Sequence, residues 1–125
     1  MSWILFIFLI SFMFYVRRFM PVKGLKMLSV YELNPYIQIQ QAQIVDIRDA
    51  SEFYKGHLPG AINISIGRIP YVSQKHLNKQ NPIILVSPSS TEINRAARML
   101  FKIGYRNIAG FTCAGHQKCK EYLTI

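Results

Sequence analysis

With 125 residues and a formal net charge of +9, from 15 basic against 6 acidic side chains, this chain is about one domain in size and distinctly basic. The basic residues beyond position 26 are scattered, with no run and no aromatic-basic signature, which argues against a nucleic-acid partner. Two cysteines, Cys113 and Cys119, are too few for a disulfide framework. Their i, i+6 spacing in one expected helix suits neither a zinc site nor a local bridge, so both are expected reduced in a cytosolic domain.

Residues 1–16 carry no charge and only two serines, and Arg17-Arg18 follow at once. At ~1.5 Å per residue the run reaches about 24 Å, short of the ~30 Å hydrocarbon core. Including residues 17–20, whose arginine stems can snorkel, closes the gap. The charge follows the apolar core rather than preceding it, and Phe19-Met20-Pro21 is no small-x-small cleavage site, which disfavours a signal peptide. A transmembrane anchor over 1–20 is the expectation. Arg17, Arg18, Lys23 and Lys26 on its C-terminal flank put the following domain on the cytoplasmic side. An anionic leaflet nearby also accounts for part of the basic excess.

After a linker over 21–25, a domain over 26–125 is expected. Residues 26–28 read as a strand, and Ser29-Val30-Tyr31-Glu32 as a capping box opening a short helix that Asn34-Pro35 ends. A strand over 44–47 follows, then a second capping box, Asp49-Ala50-Ser51-Glu52, with a stop at Gly56. Leu58-Pro59-Gly60 is a turn and 61–64 a strand. Gly67 and Pro70 break any long helix over 65–79, leaving short turns. Ile83, Ile84, Leu85 and Val86 form a buried strand. Ser87, Pro88, Ser89, Ser90, Thr91 and Glu92 form a polar loop, with Ser90 or Thr91 as the helix cap. Ile93, Ala96, Ala97, Leu100 and Ile103 recur at helical spacing up to Gly104. A last strand over 107–111 and a last helix over 115–122 complete an α/β pattern. Apolar strands alternating with helices indicate a three-layer fold around a central, mostly parallel sheet.

One stretch is specific. Val45-Asp46-Ile47-Arg48, Glu52-Phe53, Gly56-His57-Leu58-Pro59-Gly60-Ala61 and Asn63-Ile64 fall at fixed spacing, and Arg95-Ala96-Ala97, Leu100, Gly104-Tyr105 and Asn107-Ile108 follow in order. In these residues the chain resembles a rhodanese-like domain, from about residue 25 to 122. One anchor helix ahead of a single such domain is an arrangement found in bacterial members. The resemblance implies a sulfurtransferase homologue. In active members the strand ends in a cysteine heading a six-residue loop closed by arginine, and the cysteine carries sulfur as a persulfide. Aligned on Arg95-Ala96-Ala97, Ser87 takes the cysteine position and Glu92 the arginine position.

These departures point away from sulfur transfer. A serine hydroxyl is far less acidic than a thiol and carries no stable persulfide. Pro88 removes a backbone donor from the loop, and Glu92 puts an anion where an anionic donor would dock. Asp46 and Arg48, beside the loop in the family fold, read first as structural groups at a strand end. His57 reads as turn architecture, and His76 and His116 as solvated side chains. The sequence therefore points to a single-pass membrane pseudoenzyme without metal or cofactor, recognising a protein partner or small ligand through the loop. The alternative is an active sulfurtransferase that takes sulfur from thiosulfate or a persulfide donor on a displaced cysteine such as Cys113.

Overall fold

The structure, a computed structural model, describes residues 1–19 and 22–113. The helix expected over 115–122, Cys119 and His116 lie outside the described residues. Helix α1 (Ser2–Phe19) leads the chain, and its large side chains from Trp3 to Val16 are all exposed. Its apolar run ends where Arg17 and Arg18 enter the last turn. Among the described residues no helix is long and apolar enough to cross a membrane, so the spanning anchor expected over 1–20 is not met by this helix. The physical reason is length: the uncharged part of α1, residues 2–16, reaches only about 22 Å before Arg17 and Arg18 enter the helix.

Strands β1 (Lys26–Met27), β2 (Gln43–Asp46), β3 (Ile62–Asn63), β4 (Ile83–Ser87) and β5 (Ile108–Thr112) form one sheet in the order β1-β5-β4-β2-β3. Every pairing is parallel. The buried β4 sits at the centre, and period-two alternation sends its side chains to two separate cores. Ile83 and Leu85 join the core under α4 (Ile69–His76) and α5 (Ser90–Ile103). Ile84 and Val86 join the core under α2 (Val30–Gln38), with Leu33, Leu58, Ala109 and Phe111. A short helix, α3 (Ala50–Lys55), links β2 to β3 and buries none of its residues.

Five expectations about helix boundaries needed correction, the first being the second capping box, since Asp49 precedes α3 but makes no side-chain cap hydrogen bond. Pro35 does not end α2 but lies inside it. Leu33 is fully buried and Tyr36 and Ile37 pack on the same core, which outweighs the one helical hydrogen bond that proline forgoes. At its start Ser29 Oγ donates to Glu32 Oε1 (3.2 Å) rather than capping a backbone N–H. Pro70, expected to break a helix, sits in the first turn of α4, where its missing N–H costs nothing. That helix follows a 3-10 turn, Ile66–Arg68, and buries Ile69 and Ser73. Finally, α5 begins at Ser90 and is capped by Ser89, whose Oγ accepts from Glu92 N at 3.4 Å. The predicted six-residue loop is thereby reduced to Pro88 and Ser89 between β4 and α5. Gly104 ends α5 as expected, at φ +115°, with its N–H on Leu100 O and Phe101 O.

Gly110 sets how closely α5 lies on the sheet. A Cβ there would stand 2.6 Å from Ile93 Cγ2 and 2.8 Å from Met27 Sδ. Ile93 is fully buried, so it has little room to yield. Gly110→Ala is expected to destabilise the domain by about 1–3 kcal/mol. A thermal melt of the full chain in neutral detergent checks this, and an unchanged melting temperature would refute it.

Candidate functional site at the end of strand β4

Strands β2, β4 and β5 run in register, pairing Asp46 with Val86 and Ser87 with Thr112, so their C-terminal ends line one edge of the sheet. Helix α5 leaves this edge immediately, because Ser89-Ser90-Thr91-Glu92 is itself a capping-box sequence that starts the helix at Ser90. Only the Ser89 half of that box is made in the expected way. The Glu92 carboxylate turns to the strand end instead and accepts from Ser87 Oγ at 3.0 Å.

Ser87 is fully buried. Its Oγ donates to Glu92 and accepts from Ser89 N (3.2 Å), so the hydroxyl is engaged on both sides. Pro88 supplies no N–H between them. One backbone donor thus points at the Ser87 side chain and is matched by an anionic acceptor. This arrangement holds a neutral hydroxyl well and a negative charge badly.

Asp46 and Arg48 form a buried, forked ion pair on the neighbouring strand end. Arg48 Nη2 lies 2.6 Å from Asp46 Oδ2, and Arg48 Nε lies 2.9 Å from Oδ1. The Arg48 backbone N–H donates to the same carboxylate (3.0 Å), and Arg48 Nη2 reaches Gly56 O (2.6 Å). Asn63 Nδ2 adds bonds to Asp46 O (3.1 Å) and Arg48 O (2.8 Å). The hydrogen bond to Asp46 raises the guanidinium above its usual range, against the opposing effect of burial. The pair therefore ties β2, the end of α3 and β3 together, in keeping with the structural reading of these residues. His57 does similar work: its Nδ1 donates to Phe53 O (2.8 Å) while its ring stacks on Phe53 at 3.7 Å.

Cys113 departs from expectation. It is disulfide-bonded, and no cysteine among the described residues is free. The sequence holds one other cysteine, Cys119. Helical spacing does not apply to Cys113, because it follows β5 directly and lies outside any helix. Its backbone N–H bonds Ser87 O at 3.1 Å, so the two residues are neighbours along the edge. Their side chains nevertheless part. Cys113 is packed in the core beneath α2, with Phe111 and Ala109, whereas Ser87 Oγ turns to Glu92 of α5 on the opposite face.

Over residues 29–115 the chain matches the family described as the rhodanese-like domain. The chain belongs to that family. Among similar proteins, the uncharacterized YibN of Escherichia coli K12 is 29% identical over 85 residues, covering 66% of this chain and 59% of YibN. This chain thus spans less than two thirds of that relative. The thiosulfate sulfurtransferase GlpE of Shewanella oneidensis is 28% identical over 88 residues, covering 70% of this chain and 85% of GlpE. A solved structure with the same fold is the Alr3790 protein of Anabaena, with a TM-score of 0.63 at 19% identity over 75% of this chain and 84% of that one. The fold is thus an α/β rhodanese-like domain with a central parallel sheet.

The sequence reading missed the short β4–α5 connection of this rhodanese-like domain, although Ser89 and Glu92 standing three apart before the apolar run of α5 are the signal for it. Nothing in the sequence indicated that the Glu92 side chain would bond Ser87 rather than complete its own capping box.

Proposed function

We propose that this chain is a membrane-attached rhodanese-like protein that does not transfer sulfur through its β4–α5 connection and acts there as a binding or regulatory module. The observation that carries the proposal is the bond from the buried Ser87 Oγ to Glu92. On the family resemblance, Ser87 stands in the place of the sulfur-carrying cysteine and Glu92 in that of the loop-closing arginine. A carboxylate at 3.0 Å from that place opposes both a thiolate and an anionic sulfur donor. Attachment is assigned to α1 lying on the membrane surface, its apolar side chains exposed along its length and Arg17 and Arg18 in its last turn, and an anionic cytoplasmic leaflet is the surface that suits those charges. In that compartment a disulfide at Cys113 is transient and redox-responsive rather than a permanent staple.

A second reading is favoured by the relatives named as thiosulfate sulfurtransferase and as putative sulfur carrier, together with the closeness of Cys113 to the Ser87 backbone. In it, Cys113 carries sulfur once reduced. The full chain in neutral detergent, with and without prior reduction, is assayed for thiocyanate formation from thiosulfate and cyanide and for a mass increase of one sulfur. Neither is expected in either state. Turnover after reduction that disappears in Cys113→Ser would establish the second reading and overturn the first.

A further inference from the structure

We propose that the open cleft at the foot of α1 is a binding site for a phosphate group, distinct from the β4–α5 connection. The cleft has a volume of about 570 Å³ and is lined by Val22, Lys23, Arg98, Phe101, Lys102 and Arg106. Four of these six residues are cationic and none is acidic. They come from three separate places in the chain: the segment before β1, the outer face of α5, and the turn between α5 and β5.

The cleft is built by specific local structure. A tight turn closes with Leu25 N on Val22 O (3.3 Å), and Gly24 takes φ +86° within it. The turn lies against Phe101, whose Cζ would be 3.6 Å from a Cβ on Gly24. Phe101 thus gives an apolar floor and positions Lys23 opposite α5. On α5, Arg98 and Lys102 are four residues apart and share one helix face. Like charges at that spacing repel, and a bound anion relieves the repulsion.

Position relative to α1 supplies the second argument. Arg98 Nη2 donates to Arg17 O at 2.8 Å, joining the wall of the cleft to the last turn of the apolar helix. With α1 seated on a membrane surface, the cleft therefore lies beside the headgroup layer, where each Lys or Arg near an anionic surface strengthens attachment. Guanidinium groups match phosphate oxygens through paired N–H donors, and lysines add mobile charge. A carboxylate ligand would use the same cations, but phosphate offers more oxygens to donors arriving from three directions. A lipid headgroup and a free phosphate ion both supply this chemistry, and only the lipid source depends on membrane attachment.

The test follows the arginine Nε–H signals of Arg98 and Arg106 in the full chain, held in neutral maltoside micelles. It uses inorganic phosphate as one probe and phosphatidylglycerol added to the micelles as the other, with phosphatidylcholine as the uncharged control. Saturable shifts are expected with phosphatidylglycerol and not with phosphatidylcholine. Shifts with inorganic phosphate as well show that the free anion is sufficient, and shifts with phosphatidylglycerol alone assign the site to the lipid. Lys102→Gln, which leaves the Arg98–Arg17 bond in place, should weaken binding about fivefold, and Arg98→Gln with Lys102→Gln more than about tenfold. Arg68→Gln with Lys75→Gln, away from the cleft, should change it by less than about twofold. Absence of saturable shifts with both probes overturns the proposal. So does equal weakening by the two charge-removing pairs in folded protein, since binding would then follow overall charge.

Discussion

Asp46→Ala lowers the melting temperature by at least about 12 °C. The expectation rests on what the substitution leaves behind. Arg48 is held between the Asp46 carboxylate and Gly56 O, with its side chain only 5% exposed. Removing Asp46 takes from this buried guanidinium the carboxylate on which it is forked, which costs about 3–5 kcal/mol. A domain of about 100 residues loses roughly 4–8 °C per kcal/mol, and its whole stability is about 5–15 kcal/mol. The single change therefore removes a large part of what holds the fold. Because Arg48 is raised rather than lowered, the stabilisation linked to its own ionisation is fully present below the ordinary arginine range and is lost as pH rises beyond it. Removing both charges together, as Asp46→Asn with Arg48→Met, should recover part of the loss, since no unpaired ion then remains. A drop of less than about 1 kcal/mol for Asp46→Ala, by melting in neutral detergent, would show that the pair is incidental to the fold.

Ser87→Cys alone does not create a sulfurtransferase. A thiolate attacking the outer sulfur of thiosulfate would release sulfite and retain that sulfur as a persulfide, which cyanide would remove as thiocyanate. The first requirement is the thiolate. A thiolate and the Glu92 carboxylate about 4 Å apart repel by about 4 kcal/mol at an effective dielectric of 20. That raises the thiol by about three pKa units, to where almost none is ionised at neutral pH. Ser87→Cys with Glu92→Arg reverses the sign of the neighbour and should raise persulfide formation by at least about 100-fold over the single variant. The pH dependence of thiolate absorbance reads the same effect directly, with ionisation shifted to lower pH in the double variant. Full activity in Ser87→Cys alone would mean that Glu92 moves out of the site, and the carboxylate would not be what opposes sulfur transfer there.

Much of this architecture was legible in the residues. The apolar run ending at Val86, the helical recurrence from Ile93 to Ile103 and the stop at Gly104 are local patterns, and local patterns record which face must be buried. The motif around Asp46, Arg48, His57 and Asn63 was legible for the same reason, since its partners lie within 17 residues of one another and act through backbone turns. Prolines misled where only one neighbour was considered. Pro35 stays inside α2 because Leu33, Tyr36 and Ile37 find a core, and Pro70 opens α4 rather than breaking it. Those outcomes depend on partners distant in the chain.

By itself the sequence determined the chain order of the five strands, the helix that follows β4, the family, and Ser87 closing β4 with Glu92 in the first turn beyond it. Tertiary structure decided what those two residues do to one another, because a side-chain bond depends on how α5 leaves the sheet. It also decided that Cys113, beside Ser87 along the backbone, faces the other core, since alternation across a sheet separates side chains whose main chains touch. The same holds for charge. Lys23, Arg98, Lys102 and Arg106 look scattered in the chain, and only the packing of the first turn against Phe101 brings them to one cleft. Composition fixes how much charge a chain carries, and folding decides where it meets.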